Sequence, residues 1–104
     1  MTGDEFCNLA LSLDGTIEVT HFDRRAFKIR RIFASIAPDE LSANILITPE
    51  EQEHYARLRP NLFAPVPNKW GERGWTQLTL GVADRESVLP ALRSAWITAG
   101  GVKP

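Results

Sequence analysis

Residues 17–47 are rich in β-branched and aromatic side chains, and their apolar positions change parity once. The apolar residues around this change are Phe27, Ile29, Ile32, Ala34 and Ile36. Because successive side chains of a strand point to opposite faces, a change of parity indicates either a tight hairpin or a β-bulge. The segment therefore predicts two paired strands that meet near Arg30-Arg31.

A two-residue loop at Arg30-Arg31 would pair Ile29 with Ile32. It would also pair Phe27 with Ala34, so that all the apolar side chains would share one face. Arginine is a poor residue for the positive φ angles of a type I′ turn, so a longer loop is an open alternative.

The rest of this region predicts a third strand and leaves a fourth open. Pro38-Asp39-Glu40 is a turn sequence, and residues 42–47 alternate as a strand does. Residues 17–20 form a fourth strand if they pair with the hairpin.

A capping box begins the first predicted helix. Thr2 precedes Glu5 by three residues, and apolar residues then recur at helical spacing. Asp14-Gly15 ends this helix, because glycine accepts the left-handed conformation that often follows a helix. We expect a helix over about residues 3–13, with Cys7 half-buried beside its apolar stripe.

The second helix begins at Thr48, which is followed by proline at the first helical position and by glutamate three residues after the cap. It runs to about Arg59, before Pro60, and we expect it to bury Tyr55 and Leu58.

The remaining sequence predicts a loop, a strand and a helix. Residues 61–74 contain too many prolines and glycines for regular structure, and residues 75–80 alternate as a strand does. The last helix begins near residue 85, is made irregular by Pro90 and buries Trp96.

Together these elements predict an α+β domain with the order α-β-β-β-α-β-α. Its antiparallel sheet would have about four to five strands, flanked by the helices. A chain of 104 residues fits one domain, which we expect to span residues 1–104.

Charge and cysteine content exclude several classes of protein. The net charge of −1 excludes a uniformly basic nucleic-acid-binding protein but not a local basic patch. The single cysteine, Cys7, excludes an internal disulfide, and the first residues lack the basic start of a signal peptide. Uninterrupted apolar runs are far shorter than a membrane span. We therefore expect a cytoplasmic protein without membrane contact.

No arrangement of residues predicts catalysis. His21, Asp23 and His54 lack the spacing of a metal site. Residues 71–74 lack the Lys-Ser or Lys-Thr ending of a phosphate-binding loop. We expect no enzymatic activity, no metal and no cofactor.

Residues 24–31 contain a cluster of cations without an intervening acidic residue. Its members are Arg24, Arg25, Lys28, Arg30 and Arg31. A protruding hairpin with these cations would contact the phosphates of a nucleic acid. Alternatively, the cations would only protect an exposed sheet edge from pairing with other chains.

Residues 69–75 combine Lys69 and Arg73 with Trp70 and Trp75. Such a loop would stack bases and bind phosphates, or would fold its indole rings onto the sheet as an apolar lid. It would also suit an acidic protein partner, bound through Trp70 and Trp75.

Several short motifs in one order resemble the MmcQ/YjbR family. They are Ala26-Phe27-Lys28-Ile29 with Ile32-Phe33-Ala34, Thr48-Pro49-Glu50-Glu51, Pro67-Asn68-Lys69, Gly74-Trp75-Thr76-Gln77-Leu78 and Ala95-Trp96. The resemblance covers nearly the whole chain and implies a small frataxin-like (CyaY/YjbR-like) domain with a double-wing arrangement. It also implies DNA binding, and it brings no catalytic residue and no cofactor. Relatives often carry Gly-Gly where this chain has Arg30-Arg31.

These observations lead to two hypotheses. The first is a DNA-binding, or more broadly nucleic-acid-binding, module that contacts phosphates through the hairpin cations together with Lys69 and Arg73. The alternative is a non-enzymatic protein-interaction domain that uses the aromatic loop and the sheet edge.

Overall fold

The computed structural model describes residues 1–102, and in this part of the chain four α-helices flank a six-stranded antiparallel sheet. The helices are α1 (Gly3–Leu11), α2 (Pro49–Leu58), α3 (Lys69–Glu72) and α4 (Arg85–Thr98). The strands are β1 (Ile17–His21), β2 (Arg24–Lys28), β3 (Ile32–Ile36), β4 (Ser42–Leu46), β5 (Phe63–Pro65) and β6 (Trp75–Thr79), in the sheet order β1-β2-β3-β4-β6-β5. The predicted α+β class is confirmed. None of the helices in residues 1–102 is long and apolar enough to cross a membrane.

The sheet has more strands than the predicted number of about four to five. β1 pairs with β2 along its whole length, beginning with Ile17 opposite Lys28. β5 lies in the segment predicted as an irregular loop, where Phe63 is buried and pairs with Leu78. The short helix α3 lies in the same segment. The prolines and glycines of residues 61–74 therefore mark the ends of short elements rather than an absence of regular structure.

The hairpin between β2 and β3 has a longer loop than the tight hairpin that the sequence favoured. Phe27 pairs with Ala34, as predicted. Ile32, however, pairs with Lys28 and not with Ile29, which lies in the loop, and the register shifts between Phe27 and Lys28. This loop avoids the positive φ angles that a type I′ turn would require at two arginines.

The apolar core lies between one face of the sheet and helices α1 and α4. Phe27 and Ile45 are fully buried on this face. Phe6 of α1 meets Phe27 edge to face, with ring centroids 6.3 Å apart. Trp96 of α4 is buried, as predicted, and its indole N–H donates a hydrogen bond of 3.0 Å to the Asp14 carbonyl.

Two burial predictions for the helices were wrong. Cys7, expected to be half-buried, is enclosed by the core. Leu58 is 65% exposed, and α2 buries Gln52 instead, while Tyr55 is half-buried against Phe63. Because α2 packs chiefly on the short strand β5, only a narrow stripe of this helix is covered.

Helices α1, α2 and α4 leave the opposite face of the sheet open. Ser35 pairs with Ala26 on one side and with Asn44 on the other, and paired residues share a face. Ser35 and Asn44 alternate with buried core residues, so they point away from the helices. The segment from Val66 to Trp75 folds back beside this open face, where the Val66 N–H donates to the Trp75 carbonyl at 3.0 Å.

Gly74 joins α3 to β6 and has no room for a side chain. Its φ angle is 107°, and a Cβ atom would lie 1.8 Å from the Ile47 carbonyl oxygen. We expect Gly74→Ala to lower the free energy of unfolding by at least about 2 kcal/mol, because both the conformation and the contact oppose a side chain. Urea denaturation measures this difference.

Gly81→Ala is the matched control, since a Cβ atom at Gly81 would meet no heavy atom within 4 Å. A loss of stability in Gly74→Ala no larger than that in Gly81→Ala would contradict the close packing at Gly74.

Candidate functional site

A cleft of about 420 Å³ lies on the open face of the sheet, between the β1–β2 turn and the segment that contains α3. Polar side chains line its floor: Arg24, Ser35 and Asn44. Aromatic rings line its sides: His21, Phe22, Trp70 and Trp75. A cleft of this size, lined mainly by apolar groups with a few polar ones, is typical of a ligand-binding site.

Arg24 is the charged residue of the cleft floor. Its Nε donates a hydrogen bond of 2.9 Å to Ser35 Oγ, whereas its Nη2 is buried and has no hydrogen-bond partner within residues 1–102. Burial lowers the pKa of the Arg24 guanidinium, and Asp23 and Asp39 act in the opposite direction. Because an unpaired charged donor is costly to bury, a guanidinium that turns towards an anionic ligand in the cleft would gain an acceptor for Nη2 that residues 1–102 do not supply.

Phe22 stands in the β1–β2 turn, at the rim of the cleft. It is 88% exposed, and its φ angle is 57°. The left-handed conformation costs a residue with a Cβ atom about 1–2 kcal/mol, and an exposed ring regains little of this through burial. The ring of His21 packs edge-on against it, with 4.6 Å between ring centroids. A strained and exposed aromatic residue beside a cleft indicates a role in binding.

α3 presents Trp70 to the cleft. The side chain of Asn68 caps α3 by accepting a hydrogen bond of 2.9 Å from the Trp70 N–H. A Cβ atom at Gly71 would lie 2.0 Å from the Val66 carbonyl oxygen, so only glycine lets the segment fold back this closely. Trp70 is 55% exposed, and the Arg73 guanidinium lies 5.1 Å from its ring centroid, within the range of a cation–π interaction.

The buried side chain of Gln52, on α2, holds this segment in place. Its Nε2 lies 3.0 Å from the carbonyl oxygens of both Gly71 and Trp75. The same nitrogen lies 3.1 Å from Thr76 Oγ1, and the Thr76 hydroxyl donates to the Gly74 carbonyl at 3.0 Å. One amide therefore fixes both ends of the turn that connects Trp70 to β6.

Two of the predicted hairpin cations are engaged within the protein. Arg25 donates hydrogen bonds of 2.8 and 2.9 Å to the Glu18 carboxylate, which lower the pKa of that carboxyl. Arg31 donates to the Thr98 carbonyl, at the end of α4, at 3.0 Å. A cation is favourable there, because the last carbonyls of a helix carry partial negative charge.

The other predicted cations do not lie together. The side chain of Arg30 packs against Gly100, so it lies near the end of α4 together with Arg31. Lys28 is half-buried, and Lys69 is exposed on α3 next to Trp70. Of the seven cations predicted as phosphate contacts, Arg24 lines the cleft and Arg73 contacts Trp70 at its rim, while Lys69 is exposed on the neighbouring helix α3.

The sequence alone did not identify the residues that position or line most of this site. They are Phe22, Ser35, Asn44 and Gln52. Ser35 and Asn44 do carry a usable signal, because a polar residue in the middle of an apolar strand indicates an open sheet face. The role of Gln52 has no such signal, since it depends on how α2 packs against a distant segment.

Metal-binding side chains do not cluster in the described part of the chain. Within residues 1–102, no group of three or more His, Cys, Asp or Glu side chains could hold a metal ion. His21 lines the cleft, whereas Cys7 is buried in the core, where desolvation raises the pKa of its thiol. The cleft offers hydrogen-bonding groups, a positive charge and aromatic faces.

The fold is similar to that of a solved bacterial protein. The crystal structure of Deinococcus radiodurans protein DR2400, a DUF419 domain, covers 93% of this chain with a TM-score of 0.76 and 24% sequence identity, and the match spans 77% of that protein. DUF419 domains have the MmcQ/YjbR-like fold, so the resemblance in the sequence is supported at the level of the fold. No family model matches the sequence.

A curated relative is similar to part of the chain. "Fatty acid-binding protein homolog 8" from Caenorhabditis elegans is 36% identical over 77 residues, a match that covers 64% of this chain. The chain spans about half, 55%, of the length of this relative.

Proposed function

We propose that this chain is a cytoplasmic, non-enzymatic nucleic-acid-binding module. The observation that carries the proposal is that cations and aromatic rings meet at one cleft, with Arg24 on its floor and the Arg73 guanidinium stacked on Trp70. A nucleic acid has phosphates for the cations and flat bases for the rings, so both parts of the polymer find a partner here.

The fold supports a finer assignment within this proposal. Similarity to a DUF419 domain agrees with membership of the MmcQ/YjbR family, for which the sequence resemblance implies a double-wing arrangement and DNA binding. The complete set of phosphate contacts that this assignment allows is the seven cations predicted from the sequence: Arg24, Arg25, Lys28, Arg30, Arg31, Lys69 and Arg73.

The salt dependence of binding distinguishes the cleft cations from the complete set. Each phosphate contact contributes a slope of about −0.7 on a single strand, or about −0.9 on a duplex, to the plot of log affinity against log salt. On a single strand, binding through Arg24, Lys69 and Arg73 would give a slope of about −2, and binding through all seven would give about −5. On a duplex the corresponding slopes would be about −3 and about −6.

Fluorescence anisotropy with labelled DNA and RNA, each as a single strand and as a duplex, tests the proposal. We expect binding of at least one form, with an affinity that falls as salt rises. The double variant Arg30→Gln/Arg31→Gln should flatten the slope by about 1–2 if the hairpin loop contacts phosphates. Arg93→Gln, an exposed charge on α4, is the control. The proposal is wrong if no form binds at low salt and about 100 μM protein.

A fatty acid is a second candidate ligand. The sides of the cleft include Ile32 and Val66 as well as the aromatic rings, and Arg24, on its floor, has a buried Nη2 without an acceptor among residues 1–102. A long-chain carboxylate would cover the apolar sides and pair with the guanidinium. The name of the C. elegans relative, a fatty acid-binding protein homolog, agrees with this chemistry.

Displacement of a fluorescent fatty-acid analogue by oleate tests the second candidate. We expect saturable displacement that Arg24→Gln weakens at least about tenfold, because the carboxylate would lose its charged partner. Absence of saturable displacement, or equal displacement from Arg24→Gln, would exclude a fatty acid bound in this way.

A further inference from the structure

We propose that the cleft binds nucleic acid as a single strand, with a phosphate at Arg24 and unpaired bases against Phe22 and Trp70. This inference rests on the proposed function and adds the form of the strand that is bound. In a duplex, both faces of each base are stacked on neighbouring bases, so they are not available to protein rings. In a single strand the same faces are free.

The cleft spans four neighbouring strands of the sheet, from β2 to β6. Arg24 and Phe22 lie at the β2 end of the cleft, and Trp75 begins β6 at the other end. β3 and β4 separate β2 from β6, and three steps of about 4.8 Å give a width of about 14 Å across the sheet. At about 3.4 Å per nucleotide in a helical strand, and more in an extended one, this width accommodates about two to four nucleotides.

Two features of the cleft lower the free energy of unfolding of the protein without a ligand. Phe22 keeps a left-handed backbone conformation while its ring is 88% exposed. Arg24 keeps Nη2 buried without an acceptor among residues 1–102. A strand that stacks a base on Phe22, and brings a phosphate to Arg24 as the guanidinium turns towards it, would satisfy both residues at once.

The polar floor suits unpaired bases. Ser35 Oγ and the Asn44 side-chain amide lie between the two aromatic ends of the cleft. The hydrogen-bonding edges of bases are engaged with each other in a duplex but are free in a single strand. Asn44, which is half-buried, would therefore meet base edges that only a single strand exposes, whereas Ser35 is buried and holds Arg24.

The distribution of cations also disfavours a duplex. A duplex presents two phosphate backbones and would require a broad cationic surface. Arg25 and Arg31 are engaged with Glu18 and with the Thr98 carbonyl, and Arg30 lies near the end of α4. Arg24 lines the cleft, Arg73 contacts Trp70 at its rim and Lys69 is exposed on α3, a set small enough to contact a single backbone.

Anisotropy with a labelled single strand of about 12 nucleotides, compared with the duplex of the same sequence, tests the inference. We expect the single strand to bind at least about tenfold more tightly, with a salt slope of about −2. Phe22→Leu and Trp70→Leu should each weaken single-strand binding by about fivefold to a hundredfold, because each removes a stacking surface. Arg24→Gln should weaken it and flatten the salt slope by about 0.7.

Matched controls are Leu58→Ala, which changes an exposed apolar residue on α2, and Arg93→Gln, which removes an exposed charge on α4. Circular dichroism establishes that each variant is folded. Because Phe22 is 88% exposed, Phe22→Leu removes no core contact and tests the cleft even if Arg24→Gln does not fold.

Two contrary results have different meanings. Equal or tighter binding of the duplex, or single-strand binding that the cleft variants leave unchanged, would overturn the single-strand inference and leave nucleic-acid binding in place. Failure of the wild-type protein to bind either form would overturn the proposed function itself.

Discussion

The side-chain amide of Gln52 joins α2, on the covered side of the sheet, to the turn that leads from α3 into β6. Its nitrogen is within 3.1 Å of three acceptors, the carbonyl oxygens of Gly71 and Trp75 and the Thr76 hydroxyl. Without the amide the Gly71 and Trp75 carbonyls would keep only their backbone donors, Gly74 N–H and Val66 N–H, and α2 would lose its hydrogen bonds to this turn, at a cost of about 1 kcal/mol for each bond lost. The position of Trp70, and therefore one side of the cleft, depends on this contact with the helix-covered side.

Two residues beside the open face of the sheet, Phe22 and Arg24, lower the stability of the fold. An apolar residue at position 24 would avoid burying a guanidinium nitrogen without a partner, and glycine at position 22 would relieve the left-handed strain. Features of this kind concentrate where a protein binds a ligand. Both occur at the same end of the cleft. Elsewhere, Glu40 in the turn before β4 also has a left-handed φ angle of 60°, and Thr16 Oγ1 is also buried without a partner among residues 1–102, so the cleft is marked by the combination of the two features rather than by either one alone.

Local patterns in the sequence were sufficient for most of the fold. The capping boxes at Thr2 and Thr48 mark where α1 and α2 begin, and the alternation in residues 27–36 predicted the pairing of Phe27 with Ala34. These features involve residues that are close in the chain, so their physical cause is present in the sequence itself. The same patterns led to the predicted α+β class.

The cleft could be predicted only in part, because it depends on contacts between distant segments. Arg24, Trp70 and Trp75 were identified by charge and aromatic character, but nothing in the sequence separates Arg24 from Arg25. The two arginines differ only once β2 has formed, because successive side chains of a strand point to opposite faces. Arg24 then faces the cleft, and Arg25 pairs with Glu18. β5 was missed because a short edge strand is formed by its pairing with β6 rather than by its own propensity.

Chemical-shift mapping tests most directly whether the cleft is the binding surface. In proton–nitrogen correlation spectra of the labelled protein titrated with about six linked thymidines, we expect the largest changes at the backbone amides of Phe22, Ser35 and Asn44 and at the Trp70 indole N–H. The Trp96 indole N–H, bonded to the Asp14 carbonyl on the helix-covered side of the sheet, is an internal control that should not move. Changes confined to the hairpin loop and the end of α4, with the Trp70 indole unmoved, would contradict a binding site in the cleft.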